Sequence, residues 1–324
     1  MRIIRYSKAI SEAIEIAMEK NPDVFIMGED VRVSARGLTI GFVDKFGPER
    51  VIDTPISEQG FHGCAIGAAM MGFRPILEYQ ISEFVFFAFE QLVDQAQKFY
   101  YISGGKVKVP LTIIVAASGA IGSTAGQHSD HAYPYVMHAG IKVLLPSTPY
   151  DAKGLISSAI ADDDPVMIFL PQKLLSIKGE VPEEEYQIPI GAGEIKREGN
   201  DITVIATGHL VPLAIKAGED LEKRGISLEV FDPRTLSPLD KVLLIKSVSK
   251  TGRAIIFDDS NKTCGFAAEV SAILSEECFR YLRGPIIRVT RPNVPIPFSP
   301  PLEEYVLPDE NKLIKAVLEI TDNL

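Results

Sequence analysis

The chain is poor in cysteine. Its 324 residues hold three, Cys64, Cys264 and Cys278, odd in number and scattered. That excludes a disulfide framework and a Cys-x-x-Cys zinc pair, and it fits a reduced compartment. Basic charge is also in short supply. Lys and Arg total 33 against 43 Asp and Glu, a net charge of −10. Nucleic acid and anionic membrane surfaces are therefore poor partners. No uninterrupted apolar run reaches the roughly 18 residues that a membrane-spanning helix needs. The opening M-R-I-I-R-Y-S-K-A-I-S-E-A has no apolar signal core. The expected location is the cytoplasm. No GxGxxG joins a strand to a helix, which removes the NAD fingerprint. GxxxxGK[ST] is absent, which removes a nucleotide P-loop, and no GxSxG elbow or HExxH pair occurs. There is no internal repeat and no low-complexity segment.

What remains reads as an α/β chain longer than one domain of roughly 100–200 residues. Ser7 is the expected cap of a first helix. Ala9, Ile10, Ala13, Ile14 and Ala17 follow at helical spacing, and Asn21-Pro22 stops it. V-F-I-M (24–27), T-I-I-V-A-A (112–117), I-K-V-L-L (141–145) and P-V-M-I-F-L (165–170) are apolar runs of strand length. Such runs suit strands covered on both faces of a parallel sheet. Residues 151–160 fit a crossover helix between two of them. From Glu58 a helix is predicted with a small-residue face of Gly60, Gly63, Gly67 and Ala68, which calls for a close neighbour. Composition changes near 172–194, where three consecutive glutamates, prolines and glycines read as a surface linker. A second strand–helix alternation follows from about 203, and Asp309 can cap a last helix. The expected division is 1–180, a linker at 181–200, and 201–324.

Two stretches carry possible chemistry. G-S-T-A-G-Q-H-S-D-H-A-Y-P-Y-V-M-H (122–138) holds three of the five histidines, His128, His131 and His138. A metal site, a catalytic loop and chance all stand open for it. His128 and His131 with Asp130 can ligate a metal, but Gly126 and Pro134 disfavour a regular helix there. In D-T-P-I-S-E-Q-G-F (53–61), Glu58 follows a Thr-Pro turn and starts an apolar, glycine-rich helix. A poorly solvated carboxyl favours its protonated form and can share a proton with a ring nitrogen. The alternative is a carboxylate that merely stabilises the helix N-terminus.

D-T-P-I-S-E-Q-G-F-H-G, with M-G-E-D-V (27–31), Y-Y-I-S-G-G (100–105), F-E-Q-L-V-D-Q-A-Q-K (89–98), Q-H-S (127–129) and P-S-T-P-Y-D-A-K-G-L (146–155), resembles the β subunit of the 2-oxo acid dehydrogenase decarboxylase component. F-D-P-R-T-L-S-P-L-D (231–240) and G-F-A-A-E-V (265–270) extend the resemblance to the C-terminus. The family comprises pyruvate, branched-chain 2-oxo acid and acetoin dehydrogenase β chains.

The resemblance implies two open, mostly parallel-sheet domains. One binds the pyrimidine of thiamine diphosphate, and the other is transketolase C-terminal-like. It implies an α2β2 heterotetramer in which the α subunit holds the diphosphate and magnesium through a GDG…N motif. This chain has no GDG. A lipoyl acyltransferase and a small 2-oxo acid are the further partners implied. By resemblance Glu58 hydrogen-bonds the pyrimidine nitrogen, Ile56, Gln80 and Phe84 line the cofactor, and His128 faces the substrate. Leu111, Thr112, Ala159, Asp162 and Asp164 match a potassium site.

The family pattern resembles Q-H-S-Q-S. Here Asp130 and His131 replace Gln-Ser, and Tyr133-Pro134 replace Glu-Ala. His131 is then either a second polar group for a carboxylate-bearing or hydroxylated substrate, or a surface histidine paired with Asp130. A split transketolase-type ketol transferase, needing no lipoyl protein, is the alternative activity. A scaffold without activity is the other.

Overall fold

The computed structural model describes residues 1–120 and 122–321. They form two compact units, residues 1–119 with 135–190, and residues 120–134 with 191–324. No helix among the described residues is long and apolar enough to cross a membrane.

The first unit starts with β1 (Arg2–Arg5) and α1 (Tyr6–Lys20), then β2 (Val24–Gly28), α2 (Phe42–Phe46), β3 (Val51–Asp53), α3 (Glu58–Met70), β4 (Arg74–Tyr79), α4 (Phe99–Ile102) and β5 (Thr112–Ser118). After residues 120–134 and α5 (Tyr133–His138), it continues with β6 (Lys142–Leu144), α6 (Pro149–Ala161), β7 (Val166–Pro171) and β8 (Lys178–Val181). Its sheet runs β6-β7-β5-β4-β2-β3, all parallel. Every residue of β5 and β7 is buried, as uninterrupted apolar runs require when both faces are covered. Tyr6, Ile10 and Ile14 of α1 join Leu155 and Ile156 of α6 over Ile26, Ile76, Ile114 and Ile168 in one core. Ser7 lies inside α1 and caps nothing. The amides of Tyr6 and Ser7 donate instead to the carbonyls of Ile177 and Leu175, at 2.9 and 3.2 Å. Tertiary backbone partners thus satisfy the helix start.

The second unit contains β9 (Glu194–Arg197), β10 (Ile202–Ala206), α7 (Leu210–Glu222), β11 (Leu228–Asp232), the short β12 (Thr235–Ser237), α8 (Lys241–Thr251), β13 (Ala254–Asn261), α9 (Phe266–Glu277), β14 (Ile287–Arg291), α10 (Pro300–Val306) and α11 (Glu310–Thr321). Its sheet order is β14-β13-β10-β11-β9, with β9 antiparallel and the rest parallel. Asp309 accepts from the Lys312 amide at 2.8 Å, capping α11 as its position suggested.

The expected linker at 181–200 is more ordered than its composition implied. β8 pairs with β1 as far as Val181. The carbonyls of Pro182 and Glu183 accept from the Lys153 ammonium at 2.8 and 3.0 Å. β9 lies in the second sheet, and the units divide after Ile190. The acidic run is held through its main-chain carbonyls by the distant Lys153 ammonium, which composition cannot reveal.

Candidate active site

The parallel register aligns Gly28 with Asp53 and with Glu78. The loops that follow β2, β3 and β4 therefore emerge on one edge, the carboxyl ends where open α/β sheets bind ligands. Glu29 follows β2, Glu58 starts α3 beyond β3, Glu78 and Tyr79 close β4, and Gln80 follows it. Glu58 is only 7% exposed although it opens its helix. The Gln80 amide is fixed at both ends. Its Nε2 donates to the Glu29 carbonyl at 2.8 Å, and its Oε1 accepts from Arg36 Nε at 2.8 Å. One turn along α3, His62 Nδ1 meets the Tyr79 hydroxyl at 2.7 Å.

Burial controls the protons here. It lowers His62 to about 3, so the ring is neutral. It raises Glu78 to about 7, against the pull of Arg36. Burial also raises Glu29, and the charges of Glu58 and Asp30 add to it. Tyr79 is raised by burial and then by Glu58 and Glu29. Glu29 Oε1, both Glu78 carboxyl oxygens and His62 Nε2 are buried without a protein partner. Carboxyl groups crowded in a poorly solvated region hold protons that ordinary carboxylates lose. They can share one with a neutral heteroaromatic base. Ile56, two residues before Glu58, is 84% exposed, and Phe84 is half-buried with its ring 6.1 Å from that of Phe87. Glu29, Arg36, His62 and Glu78 were not singled out from sequence. Glu78 left a signal, a lone charge inside the apolar run P-I-L-E-Y.

The histidine stretch lies in the second unit up to Pro134. His128 ends a single turn, Gly126–His128, and is half-buried. The backbone before it is strained, with Ser123 and Ala125 at φ 58° and 61°. His131 is buried, and its ring faces Asp259 rather than Asp130. His131 Nε2 lies 3.1 Å from Asp259 Oδ2, and the side chains are 2% and 4% exposed. Asp130 accepts from the His131 amide at 2.7 Å and from the Arg291 guanidinium. His131 is therefore not a surface histidine, and Asp259 offers its ring a buried carboxylate. Asp130, Gln127, Asn261 and Asn293 line an open cleft of about 500 Å³. No group of three or more His, Cys, Asp or Glu is placed to hold a metal among the described residues.

The residues matched to a potassium site lie in the first unit, at the start of β5 and the end of α6. Lys142 Nζ donates to both Asp162 carboxylate oxygens at 2.8 Å and lies 2.9 Å from Asp164. Arg74 donates to the carbonyls of Ile160, at 2.8 Å, and Asp162. The Leu111 and Ala159 carbonyls accept the amides of Val166 and Asp162 at 2.9 and 3.2 Å. Lys142 already pairs with both the Asp162 and Asp164 carboxylates, which leaves carbonyl lone pairs as the available donors.

Two tandem parallel-sheet units, the first with a carboxyl-lined edge, define a transketolase-type architecture. Family profiles agree: "Transketolase, pyrimidine binding domain" matches residues 3–178, and "Transketolase, C-terminal domain" matches 191–313. A solved structure described as a split gene transketolase, inactive β4 tetramer, superposes with a TM-score of 0.79 at 24% identity, over 98% of this chain and 97% of its own. That likeness concerns the fold. Among relatives, the acetoin:2,6-dichlorophenolindophenol oxidoreductase subunit beta of Bacillus subtilis is 43% identical over 98% of this chain and 97% of the relative. The 2-oxoisovalerate dehydrogenase subunit beta of the same organism is 39% identical over 99% and 100%. Its pyruvate dehydrogenase E1 component subunit beta is 40% identical over 97% and 98%. The chain belongs to this family, the β subunits of the E1 components of acetoin and 2-oxo acid dehydrogenase complexes.

Proposed function

We propose that this chain is the β subunit of a thiamine-diphosphate-dependent 2-oxo acid dehydrogenase, acting in the cytoplasm with an α subunit in an α2β2 assembly. The product acyl group passes to the lipoyl group of a partner acyltransferase. The observation that carries the site reading is Glu58, buried at a helix start within electrostatic reach of Glu29 and Tyr79 at strand carboxyl ends.

The residues present fit an aminopyrimidine. A buried, unpartnered carboxyl oxygen, Glu29 Oε1, can accept an N–H group. When bound, thiamine diphosphate supplies an electron sink for the bond to the departing carbon dioxide. Glu58 holds a proton at its carboxyl against the pyrimidine nitrogen. Arg36 fixes Gln80, and Gln80 fixes the turn after β2, so the acceptors there do not move. Ile56 and Phe84 supply apolar surface and exclude water. His128 serves the substrate end, where it holds a proton and assists acyl transfer. Gly60, Cys64 and Gly67 on α3 are exposed in the isolated chain, which supports a partner subunit there. Magnesium falls to that subunit, because this chain has no GDG. A potassium ion beside Leu111 and Ala159 would be held by main-chain carbonyls, and no step depends on it.

The test is Glu58→Gln in the chain assembled with its α subunit. Decarboxylation should fall by about 10²–10⁴, the range of a lost acid–base group, while assembly survives. A full rate would remove the role of Glu58. Transfer of a two-carbon ketol unit to an acceptor without a lipoyl protein would favour the transketolase-type alternative.

A further inference from the structure

The second sheet has a topological switch point. β10 leads through α7 to β11 on one side, and the chain then crosses to β13 on the other side of β10. In open α/β sheets the crevice outside the carboxyl ends of such a strand pair is where ligands settle. Thr207 and His209 follow β10, Asp258 and Asp259 lie near the end of β13, and Arg291 ends β14. In this chain the crevice receives residues 130–133 of the same polypeptide.

Asp130, His131 and Tyr133 each find a partner there. The Tyr133 hydroxyl donates to Asp258 Oδ1 at 2.7 Å, and both residues are fully buried. His131 Nε2 lies 3.1 Å from Asp259 Oδ2. Arg291, 1% exposed, donates to Asp130. The partners are themselves held. Asp258 Oδ1 accepts from the Thr207 hydroxyl at 2.8 Å, and Oδ2 accepts from the Ser260 amide at 3.1 Å. His209 Nε2 lies 3.8 Å from Asp259. Burial alone would raise Asp259, but its His131 hydrogen bond, with His209 and Arg291 nearby, brings it down to about 2. Asp259 is therefore an ionised acceptor facing His131 Nε2. Upstream, the amide of Ser123 donates to buried Glu303 at 3.3 Å. His128 is bracketed by these anchors, and the left-handed backbone at Ser123 and Ala125 persists only where surroundings over-determine it.

We propose that Tyr133, His131, Asp258 and Asp259 are positioning residues that plug the switch point of the second sheet and thereby set the place of His128. The inference rests on the substrate-end role of His128 proposed above. The plug acts on the step His128 serves, acyl transfer, and leaves the Glu58 step alone.

The test uses the assembled enzyme with its α subunit and lipoyl acyltransferase. It reads decarboxylation with dichlorophenolindophenol as electron acceptor, lipoyl-dependent turnover, and KM for the 2-oxo acid. His128→Ala is the reference, compared with Tyr133→Phe, Asp259→Asn and Asp259→Glu. Tyr133→Phe and Asp259→Asn should cut lipoyl-dependent kcat by roughly ten- to a hundredfold, the cost of a misplacement near 1 Å. KM and dye-linked decarboxylation should hold in both variants, and Asp259→Glu should recover part of the loss. If Asp259→Asn fails to assemble, Tyr133→Phe decides, because it leaves Asp258 bonded to Thr207 and Ser260. Two results overturn the inference alone: wild-type rates in Tyr133→Phe while His128→Ala is impaired, or an equal loss of both rates. A wild-type His128→Ala overturns the assigned role of His128 and the plug with it.

Discussion

Replacing Glu78 by glutamine should change how the chain's stability depends on pH. Glu78 is 1% exposed and both carboxyl oxygens lack a protein partner. Burial raises it from 4.5 to about 7. Between those values the folded chain holds a proton that the unfolded chain has released, so stability falls as pH rises. Burial moves His62 the other way, from 6.5 to about 3. There the unfolded chain holds the extra proton, so stability rises with pH. Each contributes about 1.4 kcal/mol per pH unit with opposite sign. From pH 4.5 to 6.5 the two slopes offset in the parent. Glu78→Gln removes one of them. Its stability should rise with pH across that window, and its advantage over the parent should grow by about 3 kcal/mol between acid and neutral pH. Urea unfolding of both proteins at half-unit pH steps measures this directly. The reasoning fails if the difference between the two curves is the same at pH 4 and pH 8. Glu78 would then be ordinarily solvated in the folded chain.

Three further expectations follow from local geometry. In Gly28→Ala the new Cβ would sit 2.4 Å from the Glu78 carbonyl oxygen. β2 and β4 must then separate, at about 1–3 kcal/mol, and thiamine diphosphate should bind more weakly in equilibrium titrations. Lys153 is fully buried, donates to Pro182 and Glu183, and lies 3.6 Å from Glu12. Lys153→Met should cost on the order of 3 kcal/mol in denaturant unfolding, and adding Glu12→Gln should restore part of it. An unchanged midpoint would mean that the 182–183 carbonyls find water instead. Ile114→Ala, in the middle of β5 with no exposed surface, should cost about 2–5 kcal/mol without altering the ratio of decarboxylation to acyl transfer.

By itself the sequence determined those elements whose causes are local and periodic. Apolar runs at 112–117 and 165–170 mark double-covered strands, Asn21-Pro22 ends α1, and Asp309 caps α11. Family membership was legible too, since its motifs are contiguous and Glu58 sits inside the longest. Only the tertiary structure decided what depends on groups distant in the chain. Carbonyls at 175 and 177 took the place of a Ser7 cap. Lys153 held the acidic segment that read as a free linker. Parallel register brought Glu29 and Glu78 to one sheet edge with their oxygens buried. Asp258 and Asp259, more than a hundred residues away, turned His131 and Tyr133 inward. Proton affinity and side-chain direction are set by desolvation and by partners through space, and neither leaves a local pattern in the sequence.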